Sequence, residues 1–495
     1  MHQSAGEQDE LSRLTPRLFP LFWREGKLLP QSRPASAHTK APKITILHTN
    51  DLHASVDGRP DEHGHQRGGL ARVATTVRRV RAGGPTLVVD LGDIAFGGGT
   101  WWDIQGIEAV AVLRSRAGCD LATIGNHDLE HGIAGLRELL AGGSALVSAN
   151  LRVQDDDVER QIPPAYLVEI GGWRIGVTGL TTLSTYELIP SRILRGLTLT
   201  DPREVALQVV AALEPLVESI VILSHLGFYQ SGPGDLDLAT HLAGSKVSLI
   251  LGSHTHAALD PAPIIHGITI CNAGAYGANV GEVILSCQEQ GNITVQARLL
   301  PQDAAIPADP FWSEVRASIA RTFQPFHESV FPLSSLPRPA GLPLSREREW
   351  TLLARALRAT GKVPASAVLM VPLLSVAGQL PEGEQATLAE IMTAYPGKEY
   401  LVEVEVSGKT LKELMKLQTS LLFYQQARPL LLADESELLP AQVEEHRLYA
   451  IVTTELICEG GLGWRLNLTS SRKSLEMTCL QVVQAYLTAS QEQRS

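Results

Sequence analysis

The stretch KITILHTNDLH at residues 43–53 is the most informative part of the chain. Its first half is a strand-like apolar run, and its second half places Asp51 and His53 just beyond that run. Four further segments repeat this arrangement of an apolar run that ends on possible metal ligands. They are TLVVDLGD (86–93), LATIGNHDLE (121–130), SIVILSHLG (219–227) and SLILGSHTH (248–256). Sites in open α/β sheets gather at the carboxyl ends of strands, so we expect the five segments to share one metal centre.

Length and composition set broad limits on the class of protein. The 495 residues are enough for two substantial cores. An apolar fraction of 44% and a mean hydropathy of +0.04 are typical of a globular protein, and no apolar run approaches the roughly 20 residues of a membrane-spanning helix. The net charge of −11 argues against a broad surface for duplex nucleic acid. A small phosphorylated substrate is compatible with it, because metal ions supply positive charge locally.

Prolines and the alternation of apolar runs divide the chain into domains. Residues 42–300 alternate strand-like and helix-like runs, which predicts an α/β first domain. Residues 301–341 contain seven prolines around one amphipathic segment (311–323), and we expect a linker with a helix there. Residues 342–495 contain further helix-like and strand-like runs, which predict a second, smaller α+β domain.

The N-terminal residues 1–41 are rich in Pro, Ser, Gln and charge, and we expect them to form a flexible tail. Their apolar run LFPLFW (18–23) is broken by proline and is too weak for a secretory signal, which favours a cytoplasmic location. The five cysteines are scattered without a CxxC pair, so neither a disulfide framework nor a thiolate zinc site is expected. We expect a monomer.

Seven side chains of the five segments can form two four-ligand shells. Asp93 follows Gly92, which lets the backbone approach the ions, and two cations about 3.5–4 Å apart need a bridging anion such as this carboxylate. One shell would consist of Asp51, His53, Asp93 and His256, and the other of Asp93, Asn126, His225 and His254. Oxygen and nitrogen ligands without sulfur suit two divalent ions of Zn, Mn, Fe or Co.

A water or hydroxide between two such ions would be acidified towards neutral pH and could attack a phosphate ester in line. His127 is next to Asn126 and is better placed to stabilise charge on the phosphate or the leaving oxygen than to bind the same ion. Glu130 follows about one helical turn later and could keep the imidazole oriented and protonated. We therefore predict His127 and Glu130 as a catalytic dyad.

The motifs HTNDLH, LGD, GNHDLE, SHLG and GSHTH, in this order, resemble the metallophosphoesterase domain of the 5′-nucleotidase family, which includes UDP-sugar hydrolases and cyclic-nucleotide phosphodiesterases. The resemblance covers roughly residues 43–300 and implies a four-layer αββα sandwich with two metals. Glu130 stands where the family usually has Asp. Exported members of the family make a periplasmic or extracellular location the alternative to the cytoplasm.

The second domain also resembles this family, in YPGKEYLVEVEVSGKTLKELM (395–415) and in EGGLGW at residues 459–464. The resemblance implies substrate contacts for Asn126, Arg428 and Trp464, the last by stacking on a base unless it only packs in the fold. At residues 372–383, PLLSVAGQLPEG replaces an NGGGIR-type loop and puts Ala377 at the arginine position. We therefore expect a rebuilt substrate pocket.

Three functions are compatible with these observations. The first is a dinuclear-metal phosphoesterase that hydrolyses a nucleotide-like phosphomonoester. The second is a phosphodiesterase acting on cyclic nucleotides or UDP-sugars. The third is a metal-bearing binding protein without turnover, which the replaced arginine loop supports and the intact ligand set with His127 opposes.

Overall fold

The computed structural model divides the chain into two compact units. Unit 1 comprises Met1–Thr185 and Ile193–Ala317, and unit 2 comprises Tyr186–Arg192 and Ser318–Ser495. The residues that the structure describes are 14–31, 41–56, 58–60, 65–95, 100–287, 293–307, 309–333, 347–376, 380–381, 383–417, 429–461 and 472–492. Within these ranges no helix is both long enough and apolar enough to cross a bilayer. All five cysteines are free thiols.

Unit 1 is built on two sheets, each with four neighbouring parallel strands. In spatial order the eight-stranded sheet consists of Ile264–Ile265, Ile268–Cys271, Val247–Gly252, Ser219–His225, Trp173–Thr181, Ala165–Ile170, Arg17–Arg24 and Lys27–Pro30. The six-stranded sheet consists of Ile293–Pro301, Asn279–Cys287, Lys43–Thr49, Thr86–Asp90, Leu121–Ala122 and Ala145–Leu146. Two short ribbons pair Leu151–Val153 with Leu197–Leu199 and Arg59–Pro60 with Gln66–Arg67.

The two sheets pack face to face. Ile44, Ile46 and Leu87 of the smaller sheet belong to the same buried cluster as Val177 and Val221 of the larger one. Every residue of the parallel strands Thr86–Asp90 and Ser219–His225 is buried, as expected for strands covered on both faces.

Helices cover the outer face of each sheet. Val73 and Val77 pack on the smaller sheet, and Val209 and Leu213 on the larger. The helices of unit 1 are Leu70–Arg81, Thr100–Arg116, Gly132–Ala141, Asp156–Glu159, Pro202–Leu213 and Asp235–His241. A 3-10 turn spans His127–Leu129, and Thr185–Leu188 crosses the boundary to unit 2. The four-layer αββα architecture is therefore confirmed.

The prediction of a flexible tail over residues 1–41 is wrong for its middle part. Arg17–Arg24 pairs antiparallel with Ala165–Ile170 and then with Lys27–Pro30, so the segment extends the larger sheet. Phe19 and Leu21 alternate with less buried neighbours and contribute to the core of that sheet. The first unit therefore begins well before residue 42.

Unit 2 is a smaller α+β body, as predicted. Its main sheet has the order Leu430–Leu431, Val368–Leu369, Leu448–Thr454, Leu401–Ser407 and Lys473–Ser474, and a second pairing joins Val330–Pro332 to Gln385–Thr387. Its helices are Glu347–Ala359, Leu388–Ala394, Gly408–Leu417, Glu455–Cys458 and Cys479–Glu492, with 3-10 turns at Leu373–Val376 and Pro440–Gln442. Trp350 and Tyr395 lie in the core on one face of the sheet, and Leu411 and Ile457 in the core on the other.

The segment predicted as a linker contains the expected helix, which spans Phe311–Glu328. The division between the two units falls inside it, after Ala317. The first turns of the helix, up to Ala317, therefore belong to unit 1. The remaining turns and the strand Val330–Pro332 belong to unit 2.

Candidate metal centre

The seven predicted ligands follow the carboxyl ends of parallel strands in both sheets of unit 1. Asp51 and His53 come after Lys43–Thr49, Asp93 after Thr86–Asp90, Asn126 after Leu121–Ala122, His225 at the end of Ser219–His225, and His254 and His256 after Val247–Gly252. All except His254 and His256 are buried, and His254 is partly so. The fold thus brings together chain segments up to about 200 residues apart in sequence, as sites at strand ends require.

The side chains form two groups with metal-ligand spacing. Asp51, His53 and His256 make one group and Asp93, His225 and His254 the other, and in each the ligand atoms lie within 4.8 Å of one another. Each group contains three of the four residues of one predicted shell. Asn126 is in neither group, and Asp93 is in the second group only.

Individual distances agree with coordination. His53 Nε2 lies 3.0 Å from His256 Nε2, and His225 Nε2 lies 3.1 Å from Asp93 Oδ2. The His256 Nε2 to Asp51 Oδ1 distance is longer, at 3.8 Å. Ligand atoms about 2.0–2.1 Å from a tetrahedral ion are separated by about 3.3 Å, so these values fit two shells.

The Asn126 amide carries polar atoms that the protein itself leaves unsatisfied. Both of its side-chain atoms are buried without a hydrogen-bond partner in the described part of the chain. A buried polar group without a partner destabilises a fold by about 1–3 kcal/mol. A divalent cation would satisfy the amide oxygen, so the donor set fits the metals that the sequence predicts.

The backbone at the ligands is unusual. Asp51 (φ 49°), His53 (46°), Asp93 (54°), His254 (71°) and His256 (55°) all adopt left-handed conformations. Such conformations destabilise a non-glycine residue by about 1–2 kcal/mol and concentrate at functional sites. They turn each chain sharply after its strand, which directs ligands from separate loops towards one region.

Hydrogen bonds hold the first two ligand loops together. The N–H groups of Asp51 and His53 donate to the carbonyl oxygens of Gly92 (3.1 Å) and Asp93 (2.9 Å). This backbone ladder fixes Asp93 relative to the D-x-H pair. Gly92 is needed for a separate reason, because a Cβ there would lie 2.3 Å from the backbone nitrogen of Gly125.

Asp128 is a residue of the centre that sequence reasoning missed. Its Oδ2 accepts hydrogen bonds from the N–H groups of Asp93 (2.8 Å) and Gly125 (2.9 Å), and its Oδ1 accepts one from Ile94 (3.1 Å). One buried carboxylate therefore joins two ligand-bearing loops. The available signal was an acidic residue two positions after Asn126, inside a motif already chosen for its ligands.

Asn50 is a second missed residue and connects the two sheets. Its Nδ2 donates to Asp51 Oδ2 (2.8 Å) and to Asn272 Oδ1 (3.1 Å), while its Oδ1 accepts from the N–H of Ala273 (3.1 Å). Asn272 follows a strand of the larger sheet, whereas Asn50 follows one of the smaller. The orientation of the Asp51 carboxylate is thus fixed from both sides.

The electrostatics of the centre concentrate negative charge on Asp93. Burial raises the pKa of Asp93, but the charges of His225 and His127 outweigh burial and hold it well below its usual range. Burial lowers the pKa of His225, yet the Asp93 carboxylate raises it to about 10. By contrast, burial and the charge of His225 lower the pKa of His254 to about 3. Burial raises the pKa of Asp51 to about 7.

The predicted dyad is in contact. His127 Nδ1 lies 2.7 Å from Glu130 Oε1, and the backbone N–H of His127 donates to Asp93 Oδ1 at 2.9 Å. Burial lowers the pKa of His127, but the carboxylates of Asp93 and Glu130 outweigh burial and raise it to about 9. The Glu130 carboxylate thus contacts the His127 imidazole, although the family usually has the shorter aspartate at this position. Of the predicted substrate contacts, Arg428 and Trp464 lie outside the described residues, as does Ala377.

A domain of two such sheets with paired ligand groups at their strand ends defines the class of metallophosphoesterases, and sequence comparison agrees. Residues 44–258 match the calcineurin-like phosphoesterase family. Unit 1 thus carries a calcineurin-like phosphoesterase domain. The match to this family and the similarity to 5′-nucleotidases are consistent with a metal-dependent phosphoester hydrolase as the class of this protein.

The curated proteins that this chain is similar to include 5′-nucleotidases. The chain is 30% identical over 230 residues to a 5′-nucleotidase of Vibrio cholerae, which covers 44% of this chain and 40% of that protein. It is 24% identical over 419 residues to the trifunctional nucleotide phosphoesterase protein YfkN of Bacillus subtilis, which covers 75% of this chain and 27% of that protein. The chain therefore spans about two fifths, or less, of the length of these curated relatives.

Solved structures show the same fold along nearly the whole chain. A 5′-nucleotidase precursor from Thermus thermophilus superposes with a TM-score of 0.70 at 20% identity, covering 90% of this chain and 96% of that one. A 5′-nucleotidase from Staphylococcus aureus, described as putative, gives 0.71 at 17% identity with the same coverage. The folds of both units therefore agree with those of these two proteins.

Proposed function

We propose that this protein is a dinuclear-metal phosphoesterase that hydrolyses a nucleotide-like phosphomonoester. The observation that carries the proposal is the convergence of two three-residue ligand groups beside a histidine–carboxylate dyad. The metal ligands proposed are Asp51, His53, Asp93, Asn126, His225, His254 and His256. Two divalent ions of Zn, Mn, Fe or Co, when bound, supply the Lewis acidity that polarises a phosphate ester and makes a water molecule acidic.

Asp93 is proposed as the ligand that the two ions share. Its Oδ1 accepts the His127 N–H and its Oδ2 faces His225 Nε2, so both oxygens have fixed directions. Asp128 keeps the backbone of the Asp93 loop in place. The carboxylate is thereby pre-organised and undergoes little rearrangement during turnover.

His127 is proposed to act on the substrate. Because Nδ1 is engaged by Glu130, Nε2 is the nitrogen with a transferable proton. The Asp93 and Glu130 carboxylates favour the protonated form of this imidazole. It can therefore stabilise charge on the phosphate and protonate the leaving oxygen. Asn126, Arg428 and Trp464 stay proposals for substrate binding.

A phosphodiesterase acting on cyclic nucleotides or UDP-sugars is the second candidate. The observation in its favour is that the match to the trifunctional phosphoesterase extends over 75% of this chain, whereas the match to the Vibrio cholerae 5′-nucleotidase covers 44%. The replaced loop at residues 372–383 gives further reason to include other nucleotide esters.

A substrate panel tests the proposal. Purified protein loaded with Mn or Zn is offered AMP, a 2′,3′-cyclic nucleotide, UDP-glucose and p-nitrophenyl phosphate. Phosphate release from AMP supports the proposal, and release from p-nitrophenyl phosphate alone supports the metal chemistry with an altered nucleotide pocket. Hydrolysis confined to the cyclic nucleotide or UDP-glucose favours the second candidate. No hydrolysis by protein that holds two metals overturns the proposal in favour of a binding protein.

We propose that the protein is a cytoplasmic monomer. All five cysteines are free, and three of them, Cys271, Cys458 and Cys479, are buried, which raises the pKa of each thiol. Free thiols are usual in reducing compartments. Cell fractionation and light scattering test this proposal, and recovery from the periplasm or medium would support the alternative.

A further inference from the structure

Ser253 is a buried serine at the end of the strand Val247–Gly252, directly before the proposed ligand His254. Its side chain is 0% exposed. Its hydroxyl oxygen lies 2.9 Å from the carbonyl oxygen of Ser224 and 3.1 Å from that of Leu91, so two acceptors are within reach of its single proton. Leu91 follows a strand of the smaller sheet, and the other two residues belong to the larger one. The hydroxyl therefore connects three chain segments from both sheets.

These three segments carry the second ligand group, which consists of Asp93, His225 and His254. In chain order the segments contain Leu91 with Asp93, Ser224 with His225, and Ser253 with His254. Each contact of the Ser253 hydroxyl thus falls within two residues of a proposed ligand. One buried hydroxyl is placed to hold the whole group together.

The ring of His225 is held at the same point. Its Nδ1 lies 2.7 Å from the Leu91 carbonyl oxygen and 2.8 Å from the Ser253 hydroxyl oxygen. Because a carbonyl oxygen can only accept a hydrogen bond, Nδ1 carries a proton. Nε2, which lies 3.1 Å from Asp93 Oδ2, is therefore the nitrogen left to bind a metal ion. Metal-binding histidines are commonly oriented in this way, through the ring nitrogen that does not bind the ion.

Asp235 fixes the residues that precede Ser253 and His225. Its Oδ1 accepts a hydrogen bond from the Ser224 hydroxyl (2.5 Å), and a Cβ on Gly252 would lie 2.3 Å from its Oδ2. The side chains of Ser224, Asp235 and Ser253 are all 0% exposed. Bulk water therefore has no access with which to replace a hydroxyl that is removed from this network.

We propose that Ser253 is a positioning residue for the metal ion of the second ligand group. Its hydroxyl holds the His225 ring so that Nε2 faces the ion, and it ties the segments of His225 and His254 to the Asp93 loop. The inference rests on the proposed function for the metal centre itself. It concerns metal affinity, however, which is measurable without turnover.

Zinc titration of wild type, Ser253→Ala and Ser219→Ala tests the inference. Ser219 is the matched control, because its buried side chain joins the same two strands at their other ends, with its hydroxyl 2.6 Å from that of Ser248. Competition with a chromophoric chelator should show about 10- to 100-fold weaker binding of one of the two ions in Ser253→Ala. Both ions should bind to Ser219→Ala as they do to wild type. Wild-type affinities in Ser253→Ala, or an equal loss in Ser219→Ala, would overturn the inference.

Nitrogen NMR of zinc-loaded wild type, labelled with 15N-histidine, tests the ring orientation without relying on the folding of a variant. His225 should show a protonated Nδ1 and a metal-bound Nε2, with His225→Gln identifying its signals, and the reverse assignment would refute the proposed orientation. In Ser253→Ala the Nδ1 proton should exchange with water faster than in Ser219→Ala. Equal exchange rates would give Ser253 a structural role only and would also overturn the inference.

The two proposals fail separately. If wild type binds two zinc ions in this way but hydrolyses none of the substrate panel, the proposed function fails and the inference stands. If the panel is hydrolysed while Ser253→Ala binds both ions as wild type does, the inference fails and the proposed function stands.

Discussion

His48 is predicted to make unit 1 unstable in mild acid. The residue is 1% exposed on the strand Lys43–Thr49, and neither ring nitrogen has a hydrogen-bond partner among the described residues. Gly281 lies opposite it, and a Cβ at that position would be 1.8 Å from His48 Nε2, so the ring occupies space that only glycine leaves. Burial lowers the pKa of His48 from 6.5 to about 4.

The size and sign of the effect follow from this shift. The folded protein disfavours the charged imidazole, so the stabilisation is fully present above pH 6.5 and is lost as the pH falls towards 4. At 1.36 kcal/mol per pKa unit, the loss is about 3 kcal/mol. His48→Leu removes the titrating group and two unsatisfied nitrogens. We expect it to equal or exceed wild type in stability at pH 7 and to lack this loss.

Chemical denaturation in the presence of a chelator, at pH values from 7 to 4, measures the difference between the two proteins. Hydrogen-exchange mass spectrometry of peptides from Lys43–Thr49 identifies the transition that belongs to unit 1. Other groups titrate equally in both proteins and cancel in the comparison. If the free energy of unfolding fell with pH by the same amount in wild type and His48→Leu, the reasoning would be refuted. Gly281→Ala provides a companion test and should destabilise the same unit through the clash with His48.

Further predictions concern the metal centre. Asp93→Asn should abolish turnover and lower metal content measured by elemental analysis, and unchanged activity would contradict the bridging role. His127→Ala should slow turnover with both metals retained, with exposed His241→Ala as its control, and loss of metal would make His127 a ligand instead. Asp128→Asn opposes an amide group to backbone N–H groups and should weaken metal affinity about 10- to 100-fold, whereas wild-type affinity would deny its positioning role. Chelation should remove the stabilisation that bound metal gives unit 1, which is about 2.7 kcal/mol of unfolding free energy where free metal is 100 times its Kd. The thermal midpoint of unit 1 should therefore fall, and an unchanged midpoint would argue against a resident metal.

The proposed ligands could be chosen from the sequence because each lies at or within a few residues of the end of a largely buried strand. Asp51 and His53 follow an unmistakable apolar run, and the carboxyl ends of parallel strands meet by topology. The two groups of three agree with the predicted shells apart from Asn126 and the sharing of Asp93. The conformations of these residues did not follow, because left-handed φ values depend on contacts between loops that are distant in sequence.

The missed features share one physical cause. The strand Arg17–Arg24 contains Pro20, which interrupts a strand pattern, and it is stabilised by pairing with Ala165–Ile170 far along the chain. Asp128 acts on backbone N–H groups, which carry no sequence signal. The Ser253 hydroxyl meets His225 Nδ1 and the Leu91 carbonyl only after three strand ends are in place. Local propensity cannot report such long-range partners.

The left-handed torsions of the proposed metal ligands have a practical consequence for mutagenesis. Glycine tolerates these torsions without penalty, so Asp51→Gly or His256→Gly deletes a ligand while relieving the local backbone. Alanine at the same positions removes the side chain but keeps the steric conflict. Glycine, which usually weakens a protein, is thus the gentler choice for an inactive reference form of this centre, and conventional alanine scanning would confuse lost chemistry with lost stability.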